Sequence, residues 1–232
     1  MQDPGLAHLS GATGLDIVDL ISDDATAEHL LQLQMIHGTF FGSYTNVVPE
    51  IQQFQVDKSD VSVTRHAWLV SDGDTAVGEI IFHTSHNYKI GVIHFVAMRE
   101  DVRQQLKLGW FNSLIEAVVL SVQFDLQRDG SSLSALIAEI PFEDLPRWER
   151  VGFKHLNVDY VEPQHGRSWK LHGDLTFSPM TAVLKCLPTQ DTQFFNSIAL
   201  NALNAFLVEH YDLDSEHPEV QRMLNAVSLL TE

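Results

Sequence analysis

Cysteine and positive charge are both scarce in this chain of 232 residues, and long apolar runs are missing. The single cysteine, Cys186, excludes an internal disulfide framework and suits a reducing compartment. No stretch approaches the roughly 18 consecutive apolar residues of a membrane-spanning helix. The first residues lack the basic and apolar regions of a signal peptide, so we expect a cytoplasmic protein.

The shortage of positive charge also limits the classes of partner. Lysine and arginine together number 14 against 31 acidic residues, a formal net charge of −17. Such a surface repels nucleic acid and anionic membranes, and we expect neither as a partner. It attracts cationic small molecules, amines among them, although the same charge is explained equally well as a means of keeping the protein soluble.

Hydrophobic patterning in the remaining sequence predicts a mixed α/β (α+β) fold with a mostly antiparallel sheet. Three consecutive strands are predicted over residues 66–98, because Asp72-Gly73 and Ser85-His86-Asn87 mark two turns. An amphipathic helix is predicted over residues 105–124. Further strands are predicted over residues 133–140, 153–161 and 176–187.

Two flanking regions differ from this central part, which is expected to span residues 15–188. Residues 1–14 contain Gly, Ala and Ser without periodicity, and we expect a flexible leader there. Residues 189–232 carry apolar side chains at helical spacing and predict a C-terminal helical extension. Such a helical pair packs either on its own domain or on a second subunit, as in a homodimer.

The order of these elements and two short motifs resemble the GNAT superfamily of N-acyltransferases. Ala138-Glu139-Ile140-Pro141 runs on to Trp148 and Gly152-Phe153, which is similar to the family's fifth strand, fourth helix and sixth strand. Asp159-Tyr160-Val161-Glu162-Pro163 resembles a Tyr-Val-x-Pro element of some bacterial members. The resemblance implies a GNAT-like sheet flanked by helices, from about residue 15 to residue 187.

The resemblance also implies a binding site for acetyl-CoA or CoA. In the family, backbone N–H groups of the fourth strand meet the thioester carbonyl, and the matching residues are Val96, Ala97 and Met98. The family's pyrophosphate loop, which binds phosphate through glycine N–H groups at a helix N-terminus, matches residues 103–110. These loop residues are Arg103, Gln104, Gln105, Leu106, Lys107, Leu108, Gly109 and Trp110. Leucines stand where the family has glycines, and Gly109 comes one position late.

Transfer to an amine requires a group that accepts a proton, and the sequence offers two candidates. Glu139 ends an apolar strand, where burial raises the pKa of a carboxyl group, although a strand-end carboxylate that faces water or caps the next helix explains it equally well. His83 and His94 are the second candidate, with Glu79 on the same strand face as His83. These three side chains line a polar cleft or lie on the outer side of a half-buried sheet.

The proton donor for the CoA thiolate is less clear from the sequence. The family often has a tyrosine at the position of Trp148, whose indole N–H is a poor acid. Tyr160 can substitute for it if the fold brings this side chain to the site.

The leading hypothesis is therefore an acyl-CoA-dependent N-acyltransferase that acts on a small-molecule amine by direct transfer. The alternative is a catalytically silent GNAT-like domain that binds CoA or a protein partner. Because no HExxH motif or Cys/His cluster is present, no metal site is predicted.

Overall fold

The structure, a computed structural model, describes residues 3–22, 25–57, 61–173, 175–187 and 195–228. Within these residues there are nine strands: β1 (Asp16–Asp19), β2 (Val63–Asp72), β3 (Thr75–Ser85), β4 (Ile90–Met98), β5 (Ala135–Ile140), β6 (Lys154–His155), β7 (Val161–Pro163), β8 (Phe177–Pro179) and β9 (Thr181–Cys186).

Helices connect and follow these strands. They are α1 (Pro4–Thr13), α2 (Ala27–Phe40), α3 (Val47–Val56), α4 (Glu100–Gln105), α5 (Trp110–Gln127), α6 (Leu145–Glu149), α7 (Phe195–Asn204) and α8 (Pro218–Ser228). Short 3-10 helices span Phe142–Asp144 and Gly166–Leu171, and a π-helical turn over Ala205–His210 follows α7. None of the helices in the described ranges is long and apolar enough to cross a membrane.

Seven strands form one mostly antiparallel sheet in the order β1-β2-β3-β4-β5-β9-β6, and β7 pairs with β8 separately. The β5 and β9 strands are antiparallel, with Ile137 opposite Leu184. The predicted α/β fold, with its mostly antiparallel sheet flanked by helices and its C-terminal helical extension, is confirmed. The predicted domain boundaries after residues 14 and 188 stay predictions.

By its internal contacts the chain divides into two compact units. The first contains the described residues of Met1–Thr84 and Ile93–Ser131, and the second those of Ser85–Val92 and Ser132–Glu232. In the second unit, Leu203 and Phe206 from the C-terminal helical region join one buried cluster with Ile137 and Leu184. The described part of the helical extension therefore packs on sheet strands of its own unit.

The N-terminal segment forms a capped helix. Asp3 precedes α1 and accepts a hydrogen bond from the Gly5 N–H at 2.8 Å, and Pro4 occupies the first turn, where its missing N–H costs nothing. Gly14 ends the helix in the left-handed conformation, at φ 76°. The prediction of a flexible leader is therefore wrong for residues 3–14.

Close packing against α5 explains why this segment contains glycine. A Cβ atom on Gly5 would lie 2.1 Å from the Ser121 Oγ atom and 2.3 Å from the Ala117 carbonyl oxygen. Leu9, one helical turn further on, is buried. The glycine that suggested flexibility in the sequence instead allows two helices to approach each other closely.

Three predicted elements have different limits in the structure. The long helix α5 begins at Trp110 rather than at residue 105, because α4 occupies the preceding residues. The predicted strand 153–161 is reduced to β6 and the start of β7, since Asn157 takes a left-handed φ of 54°. The predicted strand 176–187 divides at Met180 into β8, which pairs with β7, and β9, which belongs to the seven-stranded sheet.

A buried ionic network centred on His66 of β2 joins elements of the first unit. Its Nδ1 atom lies 2.7 Å from an oxygen of Asp19, at the end of β1, and its Nε2 atom lies 2.9 Å from an oxygen of Asp125 in α5. The Thr84 hydroxyl of β3 donates to the same Asp125 oxygen. An oxygen of Asp3, the cap of α1, lies 3.9 Å from Nδ1. Because both ring nitrogens face carboxylate oxygens, we infer that His66 is an imidazolium.

The pKa values in this network follow from burial and pairing. Burial works against the charged ring of His66, but the charges and hydrogen bonds of Asp19 and Asp125 outweigh it and raise the His66 pKa to about 10. Burial likewise acts to raise the Asp19 pKa, but the charge and hydrogen bond of His66 bring it below its usual value. Each partner thus keeps the other charged in the interior.

Gly5→Ala tests the close packing of α1 against α5. We expect this variant to lose roughly 1–3 kcal/mol of the free energy of unfolding, because the added methyl group overpacks the contact. Gly11→Ala is the matched control, since nothing lies within 4 Å of its Cβ position in the same helix. That control should gain up to about 1 kcal/mol from helix propensity. Denaturant unfolding measures both, and equal effects would contradict the packing.

The His66 network predicts a specific pH dependence of stability. Unfolded His66 loses its proton near pH 6.5, whereas the folded residue keeps it to about pH 10. The stability that this charge contributes is therefore complete just below pH 6.5 and is lost as the pH rises through about 10. The stability difference between the parent and His66→Gln should decrease over the same range in denaturant titrations. A difference that does not change with pH would disprove the charged state.

Candidate functional site

Glu139 of β5 lies in a hydrogen-bonded cluster within the second unit. The Tyr160 hydroxyl donates to the Glu139 Oε2 atom at 2.9 Å, and the Tyr211 hydroxyl donates to the Oε1 atom. Both tyrosines are buried, at 1% and 3% exposure. Glu139 is partly exposed and caps neither of the short helices that follow it, and one hydroxyl group holds each of its oxygens.

Local structure explains how the two tyrosines reach Glu139. Tyr160 directly precedes β7, and its carbonyl oxygen accepts a hydrogen bond from the Met180 N–H at 3.1 Å. Tyr211 comes after the π-helical turn, and its N–H donates to the Phe206 carbonyl oxygen at 3.0 Å. A hydrogen bond over five residues is typical of a π-turn, a feature that is frequent at functional sites.

A second carboxyl group, Glu162 of β7, completes the cluster and is buried at 6% exposure. Burial first, and the nearby charge of Glu162 second, raise the pKa of Glu139 well above its usual value. The hydrogen bonds from Tyr211 and Tyr160 act in the opposite direction, because they stabilise the ionised carboxylate. The Glu139 carboxyl group therefore keeps its proton to a higher pH than an exposed glutamate does.

The two tyrosines position this carboxyl group rather than serve as strong acids. Burial and the adjacent charge of Glu139 raise the pKa of both Tyr160 and Tyr211 well above the usual value. The fold does bring Tyr160 to the cluster, but its hydroxyl is engaged with Glu139. Trp148 at the family's tyrosine position is buried at 6% exposure and packs edge-on against Phe153, with ring centroids 4.8 Å apart.

His83 and His94 come together in the first unit, as their predicted positions suggested. The His83 Nδ1 atom lies 2.7 Å from the His94 Nε2 atom, so one nitrogen donates to the other. His83 is buried at 3% exposure, which argues against an exposed outer face. Glu79 pairs instead with His37 of α2, at 2.8 Å between Oε1 and Nδ1. The predicted grouping of Glu79 with the two histidines stays a prediction, and the hydrogen-bond partner of Glu79 is a residue that the sequence did not indicate.

The residues predicted to bind pyrophosphate fall into three parts of the first unit. Arg103, Gln104 and Gln105 belong to the short helix α4, and both Arg103 and Gln104 contact the carboxylate of Glu100. Leu106, Lys107, Leu108 and Gly109 form the link to α5, which starts at Trp110. The charge of Arg103 is thus already balanced by a neighbouring acid.

Gly109, in the link between α4 and α5, is the one predicted loop residue that matches the glycine-rich pattern of the family. Its φ of 96° is in the left-handed region that favours glycine, and it stands at the N-terminus of α5 without a side-chain cap. Helix N-termini attract anions through their N–H groups and dipole. The exposed side chain of Lys107 adds a positive charge nearby. Gly109 and Lys107 therefore suit the binding of a phosphate group. Leu106 and Leu108 contribute neither charge nor backbone freedom.

The last residues of β4 are Val96, Ala97 and Met98. This is the strand whose backbone, according to the family resemblance, contacts the thioester. The facing part of β3 lies close: the Arg99 N–H donates to the Val77 carbonyl oxygen at 2.8 Å. A Cβ atom on Gly78 would lie 2.6 Å from the Ala97 carbonyl oxygen. This contact explains the glycine in the middle of β3.

Asp3, Asp19 and His66 form a group of side chains that could in principle ligate a metal. Their oxygen and nitrogen atoms lie within 4.8 Å of one another. The Nδ1 atom of His66 is already engaged with Asp19, however, and a protonated nitrogen does not ligate a metal. The geometry is accounted for by the ionic network.

Comparison with known proteins places this fold. No protein-family model and no curated protein matches the sequence. A solved GNAT-family structure from Bacteroides thetaiotaomicron has 12% sequence identity and a TM-score of 0.52, over 85% of this chain and 99% of that one. An acetyltransferase from Streptococcus agalactiae has 15% identity and a TM-score of 0.48, over 75% and 99%. The chain has the fold of the GNAT superfamily, as its motifs indicated.

Three functional-site residues were not proposed from the sequence. Glu162 lies inside a motif that carried the resemblance. Side-chain alternation along β7 was the pattern from which its burial could have been predicted. Tyr211 lies in the helical extension, and His37 lies in α2, both far along the chain from their partners. Only the fold brings them to Glu139 and Glu79.

Opposite effects on the Glu139 pKa test the cluster. Tyr160→Phe removes a hydrogen bond to the carboxylate and should raise this pKa further, whereas Glu162→Gln removes a negative charge and should lower it. Carboxyl carbon NMR titration of the two variants and the parent measures both shifts. Shifts in the same direction would contradict the arrangement of the four side chains.

Proposed function

We propose that the protein is an acyl-CoA-dependent N-acyltransferase, with acetyl-CoA as donor, which acts by direct transfer to a small-molecule amine with Glu139 as the proton acceptor. The observation that carries the proposal is the carboxyl group of Glu139 on β5 of a GNAT fold. Two buried tyrosine hydroxyls fix both of its oxygens, beside the buried Glu162. A carboxylate held in this way is pre-oriented for proton transfer.

The reaction can be written from this assignment. The amine nitrogen attacks the thioester carbonyl, the C–N bond forms, and the C–S bond breaks to release the CoA thiolate. The nitrogen gives up a proton to Glu139, and the thiolate takes a proton from water. The products are an amide and a free thiol, and Glu139 returns its proton to the solvent. A raised pKa makes Glu139 a stronger base than an exposed glutamate when it is ionised.

Charge supports an amine acceptor and defines the problem of binding CoA. A net charge of −17 attracts cations, but it repels the phosphates of CoA. We propose that the pyrophosphate meets the N-terminus of α5 at Gly109 and Trp110, with Lys107 alongside. Arg103 would join only by exchanging its present partner Glu100 for phosphate.

Glu139→Gln tests the function, with Glu143→Gln on the exposed turn after β5 as matched control. The first variant keeps the shape of the side chain and removes the base, so kcat should fall by roughly 10²–10⁴. Its acetyl-CoA affinity, measured by calorimetry, should equal that of the parent. The acidic limb of the pH–rate profile should disappear.

Transfer is measured as thiol release with a panel of amines, and the control variant should match the parent. Full activity of Glu139→Gln would assign the proton to another group, with the His83 and His94 pair next in order. If calorimetry detects no binding of CoA to the parent protein, the acyltransferase proposal fails.

A further inference from the structure

The first unit contains a buried carboxylate with one unsatisfied oxygen. Glu79 is 0% exposed, and its Oε1 atom lies 2.8 Å from the Nδ1 atom of His37. Its Oε2 atom is buried and has no hydrogen-bond partner among the described residues. An unpaired buried acceptor of this kind is costly, and most native structures satisfy such atoms.

The protonation of His37 explains why this oxygen remains an acceptor. The His37 Nε2 atom lies 3.2 Å from the carbonyl oxygen of Tyr44, which can only accept, so Nε2 carries a proton. The Nδ1–Oε1 contact then holds one shared proton. Glu79 therefore has its Oε2 lone pairs available for a further donor.

Three aromatic side chains, here called the aromatic cluster, lie around this pair: Phe41, Tyr44 and Phe95. The ring of His37 is 5.0 Å from that of Phe95 and 5.4 Å from that of Phe41, between centroids. Tyr44 contacts Phe95 at 5.2 Å. All three rings belong to residues that are partly exposed, so the His37 side of the pair borders on residues that reach the protein surface.

The position of Glu79 along β3 links it to the end of β4. Gly78 touches the Ala97 carbonyl oxygen, and Val77 pairs with the Arg99 N–H. Glu79 is thus next to the backbone that the family resemblance assigns to the acyl group.

We propose that Glu79 and the aromatic cluster bind the acceptor of the proposed reaction, a primary amine with a hydrophobic carbon group next to its nitrogen. The amine N–H donates to the Oε2 atom of Glu79, and the carbon group lies against the rings. A cation within about 6 Å of an aromatic face gains further stabilisation. Phe41 and Tyr44 lie between α2 and α3, and their side chains must shift for the amine to enter.

Binding of benzylamine tests the site without requiring catalysis. Benzylamine should bind the parent protein and perturb NMR signals of the aromatic cluster, and benzyl alcohol, which has the ring without the charge, should bind more weakly. Glu79→Gln should weaken benzylamine binding at least tenfold, because the amide keeps a hydrogen bond to His37 but loses the charge. Glu28→Gln on the exposed surface of α2 is the matched control and should bind as the parent does.

A second variant keeps the test decisive if Glu79→Gln unfolds. Phe95→Leu should weaken both benzylamine and benzyl alcohol, because it removes a wall shared by the two probes. Melting temperatures of all variants identify those that are folded. No benzylamine binding by the parent, or equal binding by folded Glu79→Gln and the parent, would overturn the amine site.

The amine site rests on the proposed function only for the statement that its ligand is the acceptor. Calorimetry with CoA on the same proteins separates the two. If benzylamine binding depends on Glu79 but the protein does not bind CoA, the proposed transferase function is refuted and the proposed amine site is retained. Acyl transfer to benzylamine with an unchanged KM in Glu79→Gln would refute the amine site and leave the transferase.

Discussion

The doubly paired charge of His66 is the constraint on which the first unit depends. An imidazolium in the interior loses its hydration and is tolerated only where carboxylates replace it. Its partners come from β1 and α5, and Thr84 of β3 extends the network. Loss of one partner would leave an uncompensated charge, so the network fixes how these elements meet. Hydrophobic packing alone is less directional and tolerates more than one arrangement.

The strands of this protein were largely predictable from its sequence, because their signals are local. The β4 strand, Ile90–Met98, ends where the predicted three-stranded region 66–98 ends, since apolar residues between a turn and a charged pair leave little choice. The helix α1 was not predictable in this way. Its glycines indicate flexibility locally, and only the contact of Gly5 with α5 shows that they allow close packing.

The residues of the candidate site also differ in how far the sequence could predict them. Glu139 could be proposed because a carboxylate in an apolar strand is unusual in itself. Its hydrogen-bond partners stand 21 and 72 residues away along the chain, and no periodicity links such positions. The partner of Glu79 was not predicted for the same reason: side-chain alternation gives the face of a strand, whereas α2 supplies the histidine that reaches it.

The π-helical turn before Tyr211 makes chain length, rather than residue type, critical in the C-terminal region. A π-turn contains one residue more than an α-turn, and that residue sets the direction in which Tyr211 leaves the helix. Deletion of any single residue from Ala205–His210 would restore an α-helix and rotate the next part of the chain by about 100°. An insertion or deletion in this segment therefore separates the tyrosine from the carboxylate that it holds, even where every apolar side chain of the buried cluster is kept.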